Sequence, residues 1–174
     1  EFDAATTTDT ELARYLEAPF LGDCAFMWLS FKEEGRNDYR GHRQSVSLWA
    51  HHGAGSGASA TSALTKLERF AGYVDADVML MGHQSKRGYL PKPRFGLGRR
   101  MKRGQLHLEN RTQHLVATGS WMEGYHVGKP ARGRPQGSYV EKGMMVPTSL
   151  GGMVVTLTPR YDDDVKVEVS GGDE

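Results

Sequence analysis

The sequence predicts an α/β fold of layered, mixed β-sheets with flanking helices. Three observations predict it. Asp75 to Met81 becomes an unbroken apolar run after its first residues, the mark of a strand buried on both faces, as in a sheet covered by helices. Ahead of it lie an alternating strand, Ser45 to Ala50, and a helical stripe between about Thr61 and Val74. Everything after Gln84 is β-rich and punctuated by Gly and Pro.

The elements follow in order. Residues 1–8 read as a polar lead-in, and Asp9 or Thr8 can cap a short helix running to about Glu17. Leu12, Tyr15 and Leu16 share one face of it, and Pro19 ends it. Ala25 to Lys32 is rich in aromatics and predicts a strand, with Cys24 at its mouth as a buried structural thiol. Glu33 to Gln44 is a charged, solvated connection holding Gly35 and Gly41. The second strand ends at Ala50, and a glycine-rich loop, His51 to Ser59, leads into the next helix. That helix carries Leu64, Leu67, Phe70, Ala71 and Val74 on its apolar stripe. Later strands are expected at Arg87–Leu90, Gln105–Glu109, His114–Thr118, Gly151–Thr158 and Val165–Val169, with Lys129–Pro135 as one of the interruptions. No repeat or domain boundary is visible, so residues 1–174 are read as a single domain.

Composition narrows the function classes. Apolar residues make up 38% and charged residues 25%, an ordinary balance for a packed chain. A net charge of +1 gives no global commitment to nucleic acid or membrane. No run approaches the roughly 18 apolar residues of a membrane span. The N-terminus shows no basic region followed by an apolar run, as a signal peptide would. One cysteine excludes an internal disulfide framework, and a cytoplasmic location is expected.

The chemistry concentrates on two strand ends. One strand runs into His51-His52-Gly53 and another into Gly82-His83-Gln84. A helical connection between them makes a βαβ unit, so both strands are expected to be parallel and near neighbours. Their histidines then emerge at the same C-terminal sheet edge, where open α/β sheets bind ligands. Two converging imidazoles suit a divalent transition metal, which can polarise a phosphoryl oxygen and generate hydroxide. Loop histidines with ordinary hydrogen bonds are the alternative, since two histidines are not a complete site.

The run Ser-Leu-Trp-Ala-His51-His52-Gly53, a Gly-Ser-Gly loop, a helix, Val74-Asp75-Ala76-Asp77-Val78 and Met81-Gly82-His83 resembles the second half of the calcineurin-like metallophosphoesterases, nearest their phage-type branch. The resemblance extends from the N-terminal helix to the strand at Gly151–Leu157. It implies a hydrolase of phosphomonoesters or phosphodiesters, a phosphatase or nuclease, working through a metal-bound hydroxide on a dinuclear Mn, Fe or Zn site, in the host cytoplasm if phage-encoded. It maps the metal ligands to His52 and His83 and leaves His51 behind them or in a structural role. Ser85 stands where the family usually has a second histidine, and Gln84 matches branches that lack it.

The family's Asp-x-His, Gly-Asp-x-x-Asp and Gly-Asn-His-Glu motifs are missing, so no catalytic residue is assigned within this sequence. The resemblance therefore implies the C-terminal portion of a calcineurin-like fold, its N-terminal half supplied upstream or on another chain.

Other residues are candidates for supporting contacts. His51, Gln84, Ser85 and His126 can stand behind the ligands or touch substrate. Lys86, Arg87, Arg99, Arg100, Lys102 and Arg103, interleaved with Tyr89 and Phe95, can contact a polyanion; a solvated strand pair and loop is the plainer reading. Gly53 to Gly57 lacks the Lys-Ser/Thr ending of a nucleotide-binding P-loop. His107 and His114 are expected to be structural, and Asp162-Asp163-Asp164 a charged hairpin turn. The non-enzymatic alternative is a degenerate phosphoesterase-fold module that binds nucleic acid or a partner protein.

Overall fold

The computed structural model describes residues 7–32, 44–54, 61–97, 105, 108–121, 143–144, 150–160 and 165–172. It is an α/β arrangement with a mixed sheet and few helices. Helix α1 spans Thr8–Tyr15, β1 Cys24–Phe31, β2 Gln44–His51, α2 Ser62–Phe70 and β3 Val78–Met81. Strand β4 spans Arg87–Leu97, β5 Leu108–Thr118, β6 Met153–Thr158 and β7 Lys166–Gly171. The first five strands form one sheet in the order β1-β2-β3-β5-β4, and β6 and β7 form a separate antiparallel pair.

Strands β2, β3 and β5 are mutually parallel, with His51 opposite Met81 and Met81 opposite Ala117. The βαβ expectation for the two histidine-bearing strands is therefore met. Strands β1 and β4 flank them antiparallel.

Period-two alternation divides the core between the two sheet faces. One face packs Trp49, Met79, Met81, Leu115 and Ala117 against Ala63, Leu67 and Ala71 of α2 and its exit. The other packs Val46, Leu48, Val78 and Val116 against Met153, Val155, Leu157, Val167 and Val169. So β3 is buried on both faces, as its sequence implies, but among the described residues the antiparallel β6–β7 pair, not a helix, covers the far side. Met79, Val78, Leu115, Val116 and Leu67 are the largest fully buried side chains among the described residues. Burying each such side chain contributes about 1.5–3 kcal/mol.

Element limits moved for identifiable reasons. Thr7, not Thr8 or Asp9, caps α1: its hydroxyl accepts from the Thr10 amide, and the Thr10 hydroxyl accepts from the Thr7 amide. Leu12, Tyr15 and Leu16 remain exposed. Cys24 is exposed as well, correcting the expected buried thiol. It is the first residue of β1, which pairs with β2 alone among the described strands. Helix α2 closes at Phe70, ahead of the expected Val74, in a turn bonded from the Gly72 amide to the Arg69 carbonyl and from Tyr73 to Phe70.

Strand β3 begins at Val78, and its lead-in is held by side-chain as well as backbone bonds, the Asp77 amide donating to the Ser47 carbonyl and the Asp77 carbonyl accepting from the His114 amide. Gln113 donates to the carbonyls of Val74 and Ala76, while the Asp77 carboxylate accepts from the Ser47 amide and hydroxyl. Strand β4 runs on through Pro91 and Pro93, which it tolerates because β5 is its only described neighbour. Its length keeps Leu108–Thr118 continuous where two shorter strands were expected. The expectations for Glu33 to Arg43, Lys129–Pro135, His107 and Asp162–Asp164 lie outside the described residues.

His114 takes a structural position. Its ring stacks on Tyr89 at 5.9 Å with 7° between planes, and the Tyr89 hydroxyl lies 2.8 Å from its Nδ1. Burial pushes its pKa below the usual imidazole value, partly opposed by the Asp77 carboxylate. A depressed folded value means that protonation favours the unfolded chain. Stability is therefore full above the ordinary imidazole range and is lost as pH falls through the folded value. Urea unfolding midpoints between pH 8 and 5 should show this decline, and His114→Phe should flatten it.

Candidate functional site

Three parallel strands end at one edge of the sheet, at His51, Met81 and Thr118. The chain leaves β2 through His52 and Gly53, and leaves β3 through Gly82 and His83. The two exits are stitched together: the Gly82 amide donates to the His51 carbonyl at 3.1 Å, and the Thr118 hydroxyl donates to the Met81 carbonyl at 3.3 Å. On the other side, the His52 amide donates to the Asp23 carbonyl at 2.7 Å.

Two glycines permit this approach. Gly53 has φ +94°, and a Cβ there would lie 2.7 Å from the Gly82 carbonyl oxygen. A Cβ on Gly82 would meet the His52 carbonyl oxygen at 3.1 Å. Neither loop can carry a side chain here without moving the other.

The result brings His52 and His83 together. Nε2 of His52 lies 3.1 Å from Nδ1 of His83, with ring centroids 5.1 Å apart and planes inclined at 64°. Both rings are exposed. His83 has φ +64° and sits at the centre of a three-residue turn closed by the Gln84 amide on the Gly82 carbonyl at 2.7 Å. A positive-φ turn of this kind is the rare, strained form of the γ-turn.

The neighbouring residues have separate tasks. His51 uses Nδ1 to accept from the Gly53 amide at 2.7 Å, which puts its ring proton on Nε2 in the neutral form, and its ring lies against Trp49 at 5.4 Å. Gln84 is buried, and its Oε1 accepts from the Ser62 hydroxyl at 2.7 Å. Ser85 is half-buried in the segment entering β4. Arg87 donates to the Gly172 carbonyl at 2.7 Å. Elsewhere in the basic segment, Lys92 stands 3.7 Å from Glu68, and Arg94 donates to Asp75 and to the Val74 carbonyl. His126, Arg99, Arg100, Lys102 and Arg103 lie outside the described residues.

The histidine pair can do one of two things chemically. Without a ligand, one ring can donate an N–H to the other. Alternatively, two imidazoles bound to one ion at Zn–N distances of about 2.0–2.1 Å have nitrogens roughly 2.8–3.4 Å apart, so the pair fits two adjacent corners of one metal position. The described residues hold no group of three or more His, Cys, Asp or Glu side chains placed for a metal. Among them the donor set is thus two imidazoles.

Sequence reasoning missed Ser62, Lys66 and Thr118. A helix beginning straight after a glycine-rich loop, with polar residues one turn apart at 62 and 66, was the available signal. No helix among the described residues is long and apolar enough to cross a membrane. Comparison with family models, with curated proteins and with solved structures finds no match, so the site is read from its own geometry.

Proposed function

We propose that this chain contributes the two-histidine part of a metal-dependent phosphoesterase site of calcineurin-like type, acting on a phosphomonoester or phosphodiester. The observation that carries the reading is the convergence of His52 and His83 to 3.1 Å at the ends of adjacent parallel strands. In this reading they hold one divalent ion, Mn, Fe or Zn. Bound there, the ion supplies Lewis acidity toward a phosphoryl oxygen. The remaining ligands of a dinuclear site, with the bridging carboxylate and the catalytic histidine, come from another segment or chain. His51 holds the Gly53 turn, Gln84 holds the His83 turn, and the exposed imidazoles face the substrate side.

The reading as a non-catalytic module for nucleic acid or a partner protein draws on Lys86 to Arg103. Three cations of that segment, Arg87, Lys92 and Arg94, are engaged within the fold, while Arg99, Arg100, Lys102 and Arg103 lie outside the described residues.

Cobalt or zinc titration against a chelating indicator tests the proposal. The chain should bind one ion, and His52→Ala or His83→Ala should weaken binding by at least about tenfold, the lower bound for losing even an outer partner of a ligand. Equal affinity in the unchanged chain and both variants would remove the proposal. Turnover of 4-nitrophenyl phosphate and its bis-ester with Mn, lost in the same variants, would extend it to catalysis.

A further inference from the structure

Helix α2 touches both histidine loops. Lys66 Nζ donates to the Ala54 carbonyl at 2.6 Å, gripping the loop that follows His52. One turn earlier, the Ser62 hydroxyl donates to Gln84 Oε1 at 2.7 Å, gripping the loop that carries His83. Residues four apart lie on the same helix face, so a single face of α2 holds both loops. The helix is itself fixed to the sheet through Ala63 and Leu67, the residues that directly follow these two contacts. Gln84 is buried, and its amide closes the strained turn on which His83 sits.

We infer that α2 is a strut that sets the separation of His52 and His83, with Ser62, Lys66 and Gln84 as positioning residues that touch neither metal nor substrate. The inference deepens the metal-site reading and rests on it for its functional meaning. The sheet bonds hold His52 and His83 close to the strand ends. Lys66 and Ser62 hold the residues just beyond them, Ala54 and Gln84. Loosening either contact lets one ring swing away from the other while the strands stay in register.

The test has two readouts on the full chain. The first uses the metal-free protein: long-range ¹H–¹⁵N NMR of the imidazoles reports the contact between His52 Nε2 and His83 Nδ1. Ser62→Ala, Lys66→Met and their combination should move the His52 and His83 ring shifts toward those of isolated imidazoles, while His114 keeps its own. Ser62→Thr, which retains the hydroxyl, should restore the pattern. Gln84→Leu should act like Ser62→Ala; if it fails to fold, the Ser62 pair still decides.

The second readout is zinc affinity, expected to fall about 10–100-fold in the Ser62 and Lys66 variants, as for partners behind a ligand elsewhere. Ring shifts unchanged in the double variant would overturn the strut, whatever the titration gives. Ring shifts that collapse in the variants of a chain whose wild type binds no zinc would retain the strut and overturn only the metal reading.

Discussion

Gly53→Ala should uncouple the two histidines and destabilise the fold together. At φ +94° an alanine is strained, and its methyl would lie 2.7 Å from the Gly82 carbonyl oxygen and 3.1 Å from the His83 Cβ. Those neighbours are backbone or the root of a side chain, so no rotamer change relieves the contact. The loops must part, and the bond from the Gly53 amide to His51 Nδ1 goes with them. Backbone strain of this kind is worth on the order of 1–3 kcal/mol, before the lost hydrogen bond is added. Urea unfolding should show at least that loss, and zinc affinity should fall to the level of His52→Ala. A variant that binds zinc like the unchanged chain would mean that the approach of the loops does not govern the site.

Leu67→Ala should have the largest effect on stability. Leu67 is 1% exposed and stands with Ala63 at the centre of the α2 interface, facing the Met79, Leu115 and Ala117 layer. Truncation removes buried surface and leaves a cavity that a sheet-backed site cannot readily collapse, a loss of about 2–5 kcal/mol. Against a typical total of 5–15 kcal/mol, that is a large fraction. Denaturant midpoints would measure it. Because α2 also grips both histidine loops, the folded fraction of Leu67→Ala should show weakened zinc binding as well. Truncating Val155, which packs on the opposite face, should lower stability without that second effect.

The parts of the fold legible in the sequence were those written in periodicity. The alternation of Val46, Leu48 and Ala50, the stripe on α2 and the doubly buried Val78 to Met81 each have a local pattern, and together they place both histidines at one edge. What escaped was set by partners distant in the chain. Asp77 and Gln113 secure the lead-in to Val78 through partners about 30 or more residues away, Asp77 to Ser47 and Gln113 to the carbonyls of Val74 and Ala76, with no local sign in the sequence. The cover on the second sheet face comes from β6 and β7, whose alternating Val and Leu residues predict strands but not the surface they pack on. Within the site, Ser62 and Lys66 look like ordinary solvent-facing helix residues until the loops are seen beneath them.

The strained turn at His83 bears on the proposed binding as well as on the fold. A histidine held at φ +64° carries its backbone strain within the fold, so an ion bound as proposed would meet a ring whose backbone is already ordered. The same strain makes position 83 one where glycine would be the more comfortable residue.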